Sequence, residues 1–479
     1  MDVRWTIESF FQTLREHDER IAIIVDSGTF ISYRELLNCV AYNTSMLNRR
    51  IQPHHAVIMI DLSLSWKVIP IMLAAFRLHI TVIVVDPARD AQGFRHMTEK
   101  FPHALRMDAT NVNATGHIRR PLLLHGTMPV SPQLQGVALI VRTSGTSGRP
   151  KSVMLTRANI LSNIEDIASS LQLECSERLL IQRPLSYVSA LCGELLAGLL
   201  VGCSILVKPY DRTPLSLLPL IREHAITTIG ATPTLLAMLA PHARRQTCSS
   251  LRRIILSGER LTDAQLKTIR SGFPDAVIFN AYGLSEASPR ISCLNLGTGD
   301  FPAACVGHPL NHVNIAIIDE HGQPMPDGTI GQLIVSGPNI MKGYYNDAAM
   351  TERKIRNGWL YTGDMAVTDQ GRITIMGRAD NLMIRAGMNV YPEEVESLLT
   401  SHPSIHEALA FSSPHPMRGE QIHVWVTCSE SLTVADIHQF IIQSGSPNHL
   451  WPDHIEIHPQ LPKTASGKLR RDRLQPPIA

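Results

Sequence analysis

The segment Thr143-Ser-Gly-Thr-Ser-Gly-Arg-Pro-Lys151 joins small residues, hydroxyls and a cation at the end of the apolar run Val137-Ala-Leu-Ile-Val141. Gly145 and Gly148 let backbone N–H groups approach an anion closely. Thr143, Ser144, Thr146 and Ser147 add hydroxyl donors, and Lys151 adds positive charge. Such a loop suits the oxygens of a phosphate chain. A Walker A loop, the common alternative, needs its lysine directly after a glycine at the start of a helix. Here Arg149 and Pro150 stand between Gly148 and Lys151, and the other Gly-Lys pair, Gly467-Lys468, has Pro462 where the first Walker glycine belongs. Short Ser/Thr/Gly turns are common, so this loop alone decides nothing.

The elements around it alternate. Ser32 and Glu35 form a capping-box pattern ahead of a helix over Tyr33 to Leu47. Ala56 to Asp61 reads as a strand, followed by a helix through Ala75 and a β-branched strand from Ile80 to Val85. The rhythm returns with strands at Ser204–Val207, Ala225–Gly230, Arg253–Leu256 and Ala276–Phe279, and helices from near Pro214 and Asp263. A β-α-β order implies parallel strands covered by helices. After about residue 300 the texture becomes β-rich, with runs at Asn314–Asp319, Gly331–Ser336 and Gly371–Met376 and a turn at Pro326-Asp-Gly328. The C-terminal stretch mixes a helix at Glu393–Leu399 with a strand at His423–Thr427, the pattern of a small α+β lid.

The chain has 479 residues, too many for one core, so at least two domains are expected. Apolar residues make up 44% and charged residues 18%, as in a packed enzyme, and the net charge of +2 gives no reason to expect nucleic acid as a partner. The Arg252-Arg253 and Arg470-Arg471 pairs read as solvated surface. Eight cysteines without metal-ligand spacing, and no signal-peptide pattern at the start, suggest a reducing, cytoplasmic setting. Val68–Val85 is interrupted by Arg77 and His79, and Leu195–Val207 is too short to span, so no membrane span is expected.

Four further segments follow the loop in order: Asn280-Ala-Tyr-Gly-Leu-Ser-Glu286, Tyr361-Thr-Gly-Asp364, Gly377-Arg-Ala-Asp380 and Pro462-Lys-Thr-Ala-Ser-Gly-Lys468. Together with Tyr33-Arg-Glu-Leu-Leu37, these segments resemble the motifs of the superfamily of acyl-CoA synthetases, peptide-synthetase adenylation domains and luciferases, along essentially the whole chain. The resemblance implies an α/β fold: a large N-terminal domain of α/β layers with a β-rich subdomain over residues 1–379, and a mobile α+β lid over 380–479 hinged at Asp380. It implies ATP and Mg2+ as cofactors, a carboxylic acid converted to acyl-AMP, and a thiol acceptor arriving in trans as CoA or as the phosphopantetheine of a carrier protein. Thr143 and Glu286 are implied to hold Mg2+, a hard cation suited to oxygen ligands. Tyr282 should lie against adenine, Asn280 offers the donor and acceptor to read its edge, and Ser257, Gly258 and Glu259 should wall its other side. Ala281, Gly283, Leu284 and Ser285 complete that nucleotide segment. Asp364 is the implied ribose ligand, Arg378 a ribose or phosphate contact, and Lys468 the adenylation lysine. Gly387 would lie along the pantetheine tunnel.

Some features separate subgroups. Pro392 stands where peptide-synthetase domains usually carry glycine, and Pro184-Leu-Ser-Tyr-Val-Ser189 has no acidic residue to meet a substrate ammonium until Glu194. A buried ammonium without a partner is costly, so an aryl, short acyl or fatty acid is favoured over an amino acid. Tyr187 replaces the histidine of many acyl and aryl relatives, while Ala190, Gly230 and Ala231 are small enough to admit a bulky tail. The alternatives are a standalone adenylation enzyme that loads an amino or aryl acid onto a carrier protein, and a non-catalytic acyl- or nucleotide-binding protein.

Overall fold

The computed structural model describes residues 6–25, 28–49, 56–119, 131–143, 151–208, 213–246, 248–385, 388–415, 417–429, 431–463, 469 and 471. Among the described residues, four sheets carry the chain. One six-stranded sheet runs in the order Gly343–Tyr344, Lys151–Thr156, Val137–Thr143, Thr81–Val85, Val57–Asp61, Leu105–Met107. Its last four members are parallel, as the β-α-β pattern requires. The eight-stranded sheet holds six parallel strands, from Val277–Tyr282 through Arg253–Leu256, Thr228–Ala231, Arg178–Ile181 and Ser204–Val207 to Ile21–Ile24. An antiparallel strand closes each end, Ser292–Asn295 and Phe30–Ser32.

Between these sheets lies an apolar core. Every residue from Val68 to Phe76 in the helix Val68–Arg77 is buried. A helix that is apolar all round needs partners all round, and burying each large aliphatic side chain contributes about 1.5–3 kcal/mol. The stretch checked for a membrane span is therefore a sandwiched helix followed by a core strand, and among the described residues no helix is long and apolar enough to cross a membrane. Helix Tyr33–Asn48 begins as expected: Ser32 Oγ accepts from the Glu35 N–H, and the Glu35 carboxylate accepts from the Ser32 N–H.

Two boundaries shift. The strand expected from Ala225 starts at Thr228, because Ala225 is left-handed at φ 46° and turns the chain out of the preceding helix. The helix expected near Pro214 opens with a tight turn at Pro214–Ser216 and becomes α-helical only over Leu217–Glu223. The reading of the arginine pairs as solvated is corrected in part. Arg253 forms an ion pair with nearly buried Glu177, and Arg471 pairs with Glu396 at 2.5 Å.

An antiparallel sheet follows in the order Cys305–Gly307, Arg372–Arg378, Trp359–Asp369, Gly331–Ser336, Asn314–Ile318. The fourth sheet, with its own apolar core, pairs Met388–Val390, Met383–Arg385, Gly419–Cys428 and Ile405–His415, and His454–Ile457 joins it in parallel. Helix Pro392–Thr400 bears on the strand Arg372–Arg378: a Cβ on Gly377 would fall 2.5 Å from Glu393 Oε2. All eight cysteines are free thiols.

Candidate active site

The strand Val137–Thr143 pairs antiparallel with Lys151–Thr156, and Thr143 stands opposite Lys151. The intervening loop thus closes a hairpin, and the next helix begins only at Arg157. A Walker A loop feeds a helix directly, so this topology is not that of a P-loop NTPase. Ser144, Gly145, Thr146, Ser147 and Gly148 lie outside the described residues, as do Gly387 and Lys468.

Lys151 places its ammonium 5.5 Å from the ring centre of Tyr344. The Tyr344 hydroxyl donates to Glu286 Oε1 at 2.7 Å, and burial together with the Glu286 charge raises its pKa, so it stays a donor. Glu286 sits in the short turn Ser285–Ala287 just beyond the strand Val277–Tyr282, with its carbonyl accepting from the Met341 N–H at 2.9 Å. Among the described residues its carboxylate has no cationic partner. Tyr344 thus links the half-buried Glu286 carboxylate to the Lys151 end of the hairpin, and a carboxylate is an oxygen donor of the kind a hard cation takes.

A second group adjoins the first. Asp364 and Arg378 face each other across antiparallel strands, with Arg378 Nη1 3.0 Å from Asp364 Oδ1. The Tyr282 hydroxyl donates to the other oxygen, Oδ2. Burial opposes the charge on Arg378, but Asp364 and then Asp380, 3.5 Å away, hold the guanidinium charged. Lys354, which sequence reasoning missed, donates to the carbonyls of Tyr361 at 3.1 Å and Thr362 at 3.3 Å. Its charged form is disfavoured by burial and by Arg378, with Glu286 opposing. Neither Lys354 nor Tyr344 has a local sequence signal; both reach the group through the fold.

Gly283 is required sterically. A Cβ there would lie 1.9 Å from the Pro289 carbonyl oxygen, a backbone atom that has no rotamer in which to retreat. Gly283→Ala is therefore expected to destabilise the protein by about 1–3 kcal/mol, measured by urea denaturation, through overpacking of this turn. Asn280 corrects an expectation. Its amide nitrogen donates to the carbonyls of Ala303 at 2.9 Å and Cys305 at 2.8 Å, so both hydrogens hold the neighbouring strand and are not available to read a base edge. Ala281, one residue on, is buried. Leu284 is extended, and Tyr282 to Ser285 are all half-buried, as is Glu286.

Ser257 ends the strand Arg253–Leu256, its N–H donating to Ala231 and its Oγ accepting from Arg183 Nη1 at 2.9 Å. Gly258 is exposed at φ 92°, a conformation that favours glycine, and Glu259 accepts from the Thr234 N–H at 3.3 Å. Tyr187 is 41% exposed at the start of a short helical turn, while Ala190 and Ala231 are buried. The expectation that Gly230 leaves room for a tail does not hold. A Cβ there would meet Glu194 Oε1 at 2.3 Å, so the carboxylate of Glu194, ion-paired with Arg183, occupies that space.

Residues 10–345 match the AMP-binding enzyme family, and residues 394–468 match the AMP-binding enzyme C-terminal domain. Feruloyl-CoA synthase of Amycolatopsis sp is 28% identical over 348 residues, 71% of this chain and 70% of that protein. The 2-succinylbenzoate–CoA ligase of Bacillus subtilis is 31% identical over 347 residues, 72% of this chain and 69% of the relative. ATP-bound MatB from Rhodopseudomonas palustris superposes with a TM-score of 0.82 at 22% identity, covering 97% of each chain, which shows a shared fold. The order of motifs from the hairpin loop to Gly377-Arg-Ala-Asp380, the two groups of charged residues they bring together, and these matches agree: the chain belongs to the AMP-binding enzyme family.

Proposed function

We propose that this protein uses ATP to convert a non-amino carboxylic acid into acyl-AMP and then transfers the acyl group to a thiol, CoA in preference to a carrier-protein phosphopantetheine. The observation that carries the reading is the pairing of a phosphate-type hairpin ending in Thr143 and Lys151 with the linked Tyr282–Asp364–Arg378 group. The named relatives are CoA ligases or synthases of aryl acids, which favours CoA.

In this scheme Asp364 accepts from the ribose hydroxyls through the lone pairs that Tyr282 and Arg378 leave free. The Tyr282 ring, oriented by that bond, lies against adenine, with Ser257, Gly258 and Glu259 as the opposite wall. Lys151 and the loop bind the leaving phosphates. Thr143 and Glu286 would hold Mg2+, whose charge neutralises phosphate oxygens when bound. Catalysis is then positioning and charge neutralisation at the α-phosphorus. Residues 380–479 act as a lid turning about Asp380, presenting Lys468 for the first half-reaction and Gly387 for the second.

The test is ATP–pyrophosphate exchange with aryl, short acyl, fatty and amino acids in turn. Exchange that depends on a carboxylic acid and on Mg2+ supports the reading; silence on every class in protein that binds ATP contradicts it. Single-turnover transfer from acyl-AMP to CoA or to a phosphopantetheinylated carrier then decides the acceptor.

A further inference from the structure

A buried polar cluster lies at the carboxyl ends of the parallel strands, the edge where open α/β sheets bind ligands. Glu194 is 2% exposed and gives Oε1 to Arg183 Nη2, while Oε2 has no protein partner. Arg183 uses Nη1 on Ser257, and its Nε is unpartnered. Gln182, also buried, donates to the Gly230 carbonyl at 3.0 Å and leaves Oε1 unpartnered. Arg290 is 3% exposed, anchored through its backbone to Asn163, with Nη2 unpartnered and 3.3 Å from where a Cβ on Gly193 would stand.

Three features set this cluster apart from an ordinary buried ion pair. Arg183 pairs with Glu194, while the buried Arg290 side chain has no ion-pair partner among the described residues and feels both groups electrostatically, so two guanidiniums share one carboxylate out of water. Burial lowers the pKa of Arg290 and Arg183 adds to that effect, with Cys293 and then Glu194 opposing it. Unsatisfied charged donors in a core are costly, about 1–3 kcal/mol each or more, and native proteins keep few of them. The cluster also touches Ser257 of the proposed adenine wall, and its Glu194 carboxylate packs against Gly230.

We propose that the acid activated here is a dicarboxylic acid, whose second carboxylate accepts from Arg290 Nη2 and Arg183 Nε. This rests on the acyl-AMP reading above and narrows its substrate class. The distal carboxylate balances the excess positive charge, and Glu194 keeps Arg183 in place and limits the net charge when no acid is bound. A monocarboxylate with an apolar tail leaves both arginines unpaired and is disfavoured for the same reason that a hydrogen-bonding pocket rejects an analogue lacking the polar group.

The experiment is ATP–pyrophosphate exchange with butyrate, hexanoate and octanoate against succinate, adipate and suberate. The expected result is a kcat/KM at least about tenfold higher for a dicarboxylate than for the monocarboxylate of the same length. Arg290→Met should reduce that ratio at least about tenfold, and Glu194→Gln, which leaves more positive charge, should raise it. Opposite signs for the two variants are not expected from a cluster that only supports the fold. Monocarboxylates preferred at every length, or a ratio unchanged in folded Arg290→Met, overturns the inference. So does silence on all six acids when aryl, fatty or amino acids support exchange, a result that leaves the acyl-AMP reading standing. Silence on every acid overturns that reading as well.

Discussion

Lys468→Ala is expected to lower acyl-AMP formation by roughly 10²–10³-fold while leaving transfer from synthetic acyl-AMP to the thiol largely intact. Attack of a carboxylate on the α-phosphorus brings two anionic groups together, and an ammonium aimed at both stabilises the charge at the point of closest approach. The second step expels AMP from the acyl carbon and makes no such demand. The described residues on either side of Lys468 are tied to the C-terminal sheet and its helix. Lys463 pairs with Glu407 at 2.6 Å and bridges to Leu469, and Arg471 pairs with Glu396. In the proposed rotation of residues 380–479 this lysine would travel with them. Single-turnover measurement of the two half-reactions checks the assignment, and equal loss of both in folded protein contradicts it.

Asp364→Ala is expected to raise the KM for ATP at least about tenfold and to destabilise the protein by about 1–3 kcal/mol. The change removes the proposed ribose acceptor, and it also strands the Tyr282 hydroxyl and the Arg378 guanidinium, both of which end on that carboxylate. Tyr282→Phe keeps the ring and loses only the hydroxyl bond, so it should cost about 0.5–1.5 kcal/mol and alter the KM for ATP far less. Isothermal ATP binding and urea denaturation on the two variants separate the roles. If Tyr282→Phe weakens ATP as much as Asp364→Ala, the hydroxyl touches the nucleotide and the proposed orientation of the ring is wrong.

The features legible in the chain were those encoded by neighbours. The Ser32–Glu35 capping box, the strand ending at Thr143 and the parallel run around Thr81–Val85 depend on residues a few positions apart. Glu286, Asp364 and Arg378 stood out because each sits inside a short motif, and the fold places Glu286 with Tyr344 and Asp364 with Arg378 in two adjoining groups. What escaped depends on distant partners. Whether Arg253 is solvated is decided by Glu177, and whether Asn280 has free donors is decided by the carbonyls of Ala303 and Cys305. Gly230 looks like room for a tail until Glu194, from a different element, fills the space. Tyr344 follows the same rule, reaching Glu286 across 58 positions, whereas Lys354 bonds to Tyr361 and Thr362 nearby but sits in no motif.

The most direct measurement of the central claim follows an oxygen. With an accepted acid labelled with 18O in both carboxylate positions, ATP, Mg2+ and the thiol, attack on the α-phosphorus forms an acyl–O–P bond. Thiol attack at the acyl carbon then releases AMP that keeps that oxygen. Mass spectrometry should find one 18O in each AMP, none in pyrophosphate, and one in the thioester carbonyl. Unlabelled AMP, or release of ADP with the label in inorganic phosphate, would contradict acyl-AMP formation by this protein.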